Sequence, residues 1–289
     1  MSRASEVRLI FTVTAGRSGQ ASLTELLNCH VPDCVAMFEE PQVRPRLPRV
    51  FGDLEQRFRR RFVETHELLG RGRVLTAFNA GDEAALDRFA ARRLRWIDRQ
   101  ACDRKARVFV DVSKYFARGQ HRALLRAKPN AGLIRLVRDP LLNMRSFLNR
   151  GKTFALDNND PDNRHNQLRL DPANLEKGEL YLWAWCEMYL RFDALVAEFA
   201  PAAAIEIRTE HLNDAGAMSR HLTALGLEHT PIAPAPPRNT NASKGFGDTT
   251  VLAADAALFE RFRDRLPGAI LDRIPYLTNY YPDKEVMSA

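Results

Sequence analysis

Residue types suited to holding an anion fall in two short segments, each placed after an apolar, β-rich run. The first, Ala15-Gly16-Arg17-Ser18-Gly19-Gln20-Ala21-Ser22, follows Val7–Thr14 and precedes a helical pattern opening with Ala21, Leu23, Leu26 and Leu27. Gly16 and Gly19 let the backbone turn sharply and come close to a ligand. The amides of the first helical turn lack intrahelical partners, and the helix dipole adds positive potential there. Together they make an anion site, to which Arg17 adds a charge and Ser18 a hydroxyl. The dinucleotide fingerprint is excluded, because only two glycines occur and their spacing is wrong; the Walker A pattern is excluded, because no lysine follows Gly19. The second segment is Arg138-Asp139-Pro140, after Leu133–Val137, with Ser146 eight residues beyond Arg138. On a helix starting near Pro140, Ser146 lies two turns in and faces back toward the strand end. An arginine and a hydroxyl so placed can hold a phosphate. Taken singly, each segment also fits a plain structural role, as a tight connector or a surface ion pair.

These segments need a scaffold that brings strand ends together. Val35–Phe38, Val108–Val112 and Ala203–Ile207 complete a set of five strand-like runs. Helical patterns cover about 83–101, Leu141–Leu148, Leu180–Phe199, Leu212–Leu225 and Leu252–Leu266. Pro41 keeps Glu40 extended, so the second run ends in a turn. Strands alternating with helices predict an α/β fold, a central parallel sheet flanked by helices in three layers. Such sheets bind ligands at the carboxyl ends of their strands, where both anion segments lie. No linker separates two compact halves, so 1–289 reads as a single domain. Thr230–Thr250, rich in Pro and Asn, reads as a connector or lid.

Composition narrows the class. At 45% hydrophobic and 27% charged residues, the chain has the make-up of a soluble globular protein. No apolar window reaches membrane-spanning length, and Met1–Val7 holds no signal-peptide core. Cys29, Cys34, Cys102 and Cys186 lack zinc spacing, so free and mostly buried thiols are expected, with no metal. Forty-three basic against 36 acidic residues leave a net charge of +7. Between Arg44 and Arg73 nine arginines face four acids, a stretch suited to an anionic partner or to a solvated face.

Thr14-Ala15-Gly16-Arg17-Ser18-Gly19 resembles the 5′-phosphosulfate loop of sulfotransferases that use 3′-phosphoadenosine 5′-phosphosulfate (PAPS), in the Arg-Ser-Gly version of carbohydrate and tyrosylprotein enzymes. Arg138-Asp139-Pro140 with Ser146 resembles that family's 3′-phosphate motif, at its arginine-to-serine spacing. The resemblance runs weakly from about Val7 to Gly247. It implies a P-loop-like fold, PAPS as donor with 3′,5′-ADP as product, and no metal. It also implies donor contacts from Gly16, Arg17, Ser18, Gly19, Gln20, Ala21, Ser22, Arg138 and Ser146. Ser243-Lys244-Gly245 is similar to the family's late Lys-Gly segment over the 3′-phosphate. Two positions depart: Gln20 and Ala21 replace the usual threonines, and Thr209 replaces the tyrosine of a Tyr-Glu-Asp-Leu turn.

Sulfuryl transfer needs a base for the acceptor hydroxyl and cations for the departing bridging oxygen. Glu39-Glu40-Pro41, after the second strand, resembles the family's catalytic-glutamate segment. Its Glu-Pro version selects Glu40 and its Glu-Glu version Glu39; Glu40 is the expected base. Arg17 is the cation expected at the bridging oxygen. Lys114, after Asp111-Val112, looks like the lysine of an Asp-Lys-Ser/Thr-Pro segment, displaced, and would hold the sulfuryl group; a solvated lysine is the alternative. His66 and His165 carry no motif. Trp183, Trp185 and Tyr189 are expected to pack in the core rather than stack on adenine. The expected acceptor is a carbohydrate or glycolipid hydroxyl, then a peptide tyrosine, in the cytoplasm, with no nucleic acid involved. Two alternatives stand beside this reading: a divergent P-loop kinase, and a nucleic-acid-binding protein using Arg44–Arg73.

Overall fold

The computed structural model describes residues 7–41, 49–58, 66–151, 154, 156, 160–233 and 250–278. Five strands form its sheet: β1 (Arg8–Val13), β2 (Cys34–Phe38), β3 (Val108–Val112), β4 (Gly132–Val137) and β5 (Ala204–Arg208). All pairings are parallel, in the order β2-β3-β1-β4-β5. The register sets Leu9 beside Phe109 and Thr12 beside Ile134. β1 shows why an unbroken apolar run becomes a central strand. Leu9, Phe11 and Val13 pack into one core, while Ile10 packs into the other. Both faces are covered, so both alternating sets must be apolar.

The smaller core lies under α1 (Gln20–His30) and α8 (Ala215–Ala224), through Leu23, Leu27, Met218 and Leu222. The larger core takes residues of α3 (Arg73–Ala80), α4 (Glu83–Asp103), α5 (His121–Ala127), α6 (Pro140–Leu148), α7 (Lys177–Phe199) and α9 (Ala253–Asp264). Arg49–Phe58 is a further helix, α2 in chain order between α1 and α3. The three layers expected of the alternating pattern are therefore present. No described helix is long and apolar enough to cross a membrane.

Several local readings shift. Leu212 lies not in α8 but in a 3₁₀ turn, Thr209–Asn213; Asp214 then caps α8 by accepting from the Ala217 amide at 2.9 Å. A side-chain cap outweighs apolar spacing in setting where the helix starts. Helices α2, α3 and α5, of 10, 8 and 7 residues, are not among the helical patterns read from the sequence. All four thiols are free, but only Cys186 is buried; Cys29 and Cys102 are exposed. Of the connector expected at 230–250, residues 234–249 lie outside the described part.

Strand order also decides where a ligand can sit. The chain leaves β1 toward β2 on one side of the sheet and leaves β4 toward β5 on the other. β1 and β4 are neighbours, so their carboxyl ends flank the crevice from which those two connections leave in opposite directions. The two anion segments follow these two strands.

One buried ion pair ties the second strand's end to its neighbours. Arg93 of α4 donates to the Asp111 carboxylate at 2.7 Å and to the Glu40 carbonyl at 2.6 Å. The two side chains are 2% and 4% exposed. Removing one partner of such a pair strands the other charge away from water. Arg93→Leu is expected to cost about 3–5 kcal/mol in guanidinium unfolding. A loss under about 1 kcal/mol would show that the pair does not hold this corner.

Candidate active site

After β1 the backbone turns through positive φ at Gly16 (97°), Arg17 (64°) and Gly19 (82°). Alternation of this kind turns successive amides toward one point, a concavity suited to an anion. Side chains inside the turn fix its shape. Thr14 Oγ1 accepts from the Gly16 amide at 3.2 Å, and its hydroxyl lies 3.3 Å from Ser18 Oγ. Ser18 Oγ donates to the Gly16 carbonyl at 3.2 Å. Asn143 of α6 donates from Nδ2 to the Gly16 carbonyl at 2.9 Å and to Ser18 Oγ at 3.2 Å. Ser18 is thus buried within the loop's own bonding and shapes the cradle rather than projecting from it. Gly19 has no room for a side chain: a Cβ there would stand 2.4 Å from Leu212 Cδ1 and 3.5 Å from Thr209 Cγ2. The turn at Thr209–Asn213 is packed directly on this loop. Ala21 and Ser22 follow in the first turn of α1.

The second segment meets the first. Asp139 caps α6 by accepting from the Leu142 amide at 2.9 Å. This orients α6 so that Ser146, buried, accepts a hydrogen bond from Arg17 Nε at 3.1 Å. The contact spans 129 residues of sequence. Arg138 is placed from behind, its carbonyl accepting from Trp185 Nε1 at 3.0 Å. Burial, then the charges of Arg150 and Arg138, press the Arg17 guanidinium down to about 10. Arg138 is lowered too, by burial, against the opposing pull of Glu210 and Asp139. Arg17 stays charged at neutral pH, in a cluster of cations that a phosphate would relieve.

Glu39 and Glu40 part company. Glu39, at φ 49°, turns back toward the loop. Its Oε1 accepts from Lys114 Nζ at 2.6 Å, with a longer contact of 3.5 Å to Gln20 Nε2. Lys114 in turn lies along Gly16, where a Cβ would be 3.0 Å from Lys114 Cδ. Glu39, Lys114 and Gln20 therefore form one polar group at the edge of the cradle. Glu40 instead lines a cleft beyond the β2 edge with Trp96, Gln100 and Arg104. The carboxylate beside the cradle is the one the sequence placed second.

Other candidates lie elsewhere. His165 accepts from Arg164 Nε at 3.1 Å and sits beside Gly81, away from the cradle. The His66 side chain and Ser243-Lys244-Gly245 fall outside the described residues. Trp183, Trp185 and Tyr189 are buried in the larger core. Asn143 is a site residue that motif reading missed. Its signal was a lone amide within the apolar Leu141-Leu142-Asn143-Met144, where burial demands a hydrogen-bonding reason.

These elements define an α/β protein with an anion cradle at its topological switch point, completed by a second cationic strand end. The chain belongs to the sulfotransferase family: the model described as "Sulfotransferase family" matches residues 10–231. Two solved structures are similar along most of the chain. The sulfotransferase domain from the Synechococcus PCC 7002 olefin synthase shares 16% identity, covering 96% of this chain and 94% of that one, with a TM-score of 0.46. A sulfotransferase from Alicyclobacillus acidocaldarius shares 16% identity, covering 90% and 97%, with a TM-score of 0.39. No curated protein matches. Family membership displaces both the kinase and the nucleic-acid reading.

A residue with a Cβ at position 19 must adopt a left-handed conformation and push Leu212 aside. Gly19→Ala is expected to destabilise the protein by about 1–3 kcal/mol in urea titration. A neutral result would mean that the loop and the 209–213 turn are free to separate.

Proposed function

We propose that this protein moves a sulfuryl group from PAPS to an acceptor hydroxyl on a carbohydrate or glycolipid, with Glu39 as general base. The observation carrying this reading is the bond from Arg17 Nε to Ser146 Oγ at 3.1 Å. It makes one continuous polar surface of two anion-holding segments, as a nucleotide with phosphates at both its 5′ and 3′ positions requires. The positive φ at Gly16 and Gly19 supports the same reading, since it lets the backbone turn sharply around an anion.

PAPS supplies an activated sulfuryl group on a phosphate leaving group. The amides and the Arg17 guanidinium at the loop would hold the 5′ end and stabilise negative charge on the bridging oxygen as it departs. Arg138 and Ser146 would hold the 3′-phosphate. Gln20 takes the place of a loop hydroxyl, its amide directed toward Glu39. Lys114 is placed between loop and carboxylate, so it can pass from Glu39 to the sulfuryl oxygens when the donor binds. That move would release Glu39 to take the acceptor's proton as the new S–O bond forms and the old one breaks. Glu39 is preferred to Glu40 because its carboxylate joins Lys114 and Gln20 at the cradle.

Three measurements test this. Saturating 3′,5′-ADP should raise the melting temperature well above the shift given by AMP; equal shifts would remove the 3′-phosphate site. Arg138→Ala should weaken 3′,5′-ADP binding about 10- to 100-fold, as loss of a charge-assisted hydrogen bond does. Unchanged affinity in calorimetry would refute its role. Glu39→Gln should lower turnover by about 10²- to 10⁴-fold while 3′,5′-ADP still binds. Near-normal turnover would return the base to Glu40.

A further inference from the structure

Beyond Lys114, on the side away from Gly16, two further guanidiniums gather around one aromatic ring. Tyr115, buried, has Arg71 at 5.1 Å and Arg118 at 5.5 Å from its ring centroid, with Lys114 Nζ at 4.6 Å. Lys114 also reaches the Glu39 carboxylate. The cations are therefore one residue away from the proposed base. Among the described residues neither Arg71 nor Arg118 has a hydrogen-bonded acceptor or an ion-pair partner, although both are half-buried. Other arginines of this chain are treated differently. Arg93 is paired with Asp111 and Arg191 with Glu187. Arg73, two residues from Arg71, bonds Glu67 at 2.7 Å.

The fold holds this arrangement in place. The segment carrying Arg71 is pressed against that carrying Tyr115 and Arg118. Gln120 Nε2 donates to the Glu67 carbonyl at 2.7 Å. A Cβ at Gly70, whose φ is +89°, would lie 3.0 Å from the Tyr115 carbonyl oxygen. On the other side the Ala117 carbonyl accepts from Arg191 at 2.6 Å, fixing the turn that ends in Arg118. Two like charges are thus kept close, and among the described residues neither guanidinium donates a hydrogen bond to a carboxylate. Burial lowers Arg118; the charges of Tyr115 and then Glu39 raise it, and those of Arg71 and Arg191 lower it to a lesser degree. Guanidiniums bind planar carboxylates and tetrahedral oxyanions through paired N–H groups.

We propose that Arg71 and Arg118 form a subsite for an anionic group of the acceptor, so that the substrate is an acidic carbohydrate bearing a carboxylate or sulfate near the hydroxyl that reacts. This rests on the sulfotransferase reading and on Glu39 as the base. The anion's partner chemistry is shared with the donor's own sulfuryl group, and the test separates the two sources.

The probe is inorganic sulfate, added at constant ionic strength against chloride to protein saturated with 3′,5′-ADP. Wild type should gain about 3 °C more in melting temperature than the Arg71→Gln/Arg118→Gln variant. Arg71→Gln alone, which removes a single ring contact, should lose part of that gain and serves if the double variant does not fold. Equal sulfate shifts in wild type and variants would overturn the subsite. 3′,5′-ADP affinity, measured in parallel, should change less than about twofold in the variants. A tenfold loss would assign these cations to the donor and likewise overturn the proposal. Failure of 3′,5′-ADP to stabilise wild type would instead count against the sulfotransferase reading, while the sulfate comparison still decides the cation pair. In transfer assays, a uronate glycoside should be preferred over its neutral counterpart, and Arg118→Gln should reduce that preference about tenfold through KM. An unaltered ratio would argue against the subsite.

Discussion

A left-handed turn that cannot tolerate a side chain governs the rest of this structure. Gly19 lies at positive φ against Leu212, and Gly16 lies at positive φ against Lys114. Those contacts press three separate chain segments onto one loop: the turn after β5, the end of β3 and, through Asn143, the helix after β4. With the loop so fixed, Arg17 reaches Ser146, and the carboxyl ends of β1 and β4 are joined by one continuous polar surface. The Thr14 and Ser18 hydroxyls bond the loop's own backbone, and the Arg17 guanidinium reaches across to Ser146.

Electrostatics is graded along this surface. At one end Arg17 bears the influence of Arg138 and Arg150, and burial intensifies it. In the middle Lys114 is shared between the loop and Glu39. Farther on, Arg71 and Arg118 surround Tyr115. A carboxylate thus stands between two cationic regions. Glu40, one residue away, has its carbonyl held by Arg93, itself anchored on Asp111. Adjacent residues at a strand end face different ways, and the positive φ at Glu39 decides which one turns to the loop.

Buried charge in this protein is consistently compensated where the role is architectural. Arg191 and Glu187 pair within α7, and Glu187 also accepts from the Gln167 and Leu168 amides, fastening the 160–168 segment to the helix. Arg135 is held by Glu206 and Asp193 and lies 3.8 Å from the Tyr189 ring centroid. Pairing of this kind satisfies desolvated groups and fixes geometry, whether or not it adds net stability. Against that background Arg71 and Arg118, which share the Tyr115 ring without a hydrogen-bonded carboxylate among the described residues, stand apart.

The amino-acid order by itself determined the five strands, most long helices, the parallel layering and the two anion segments. Each of these depends on local pattern: apolar runs, capping residues, and glycines beside an arginine and a serine. It could not determine which glutamate meets the loop, that Asn143 braces it, or that Arg71 joins Arg118. Those facts depend on strand order and on side-chain direction at the strand ends. Contacts such as Arg17–Ser146 and Lys114–Glu39 join residues far apart in the chain, and a short-range pattern carries no information about the distance between them. The same reason explains the buried Ser18. The Asn143 amide and the Gly16 carbonyl are brought to its hydroxyl by packing alone.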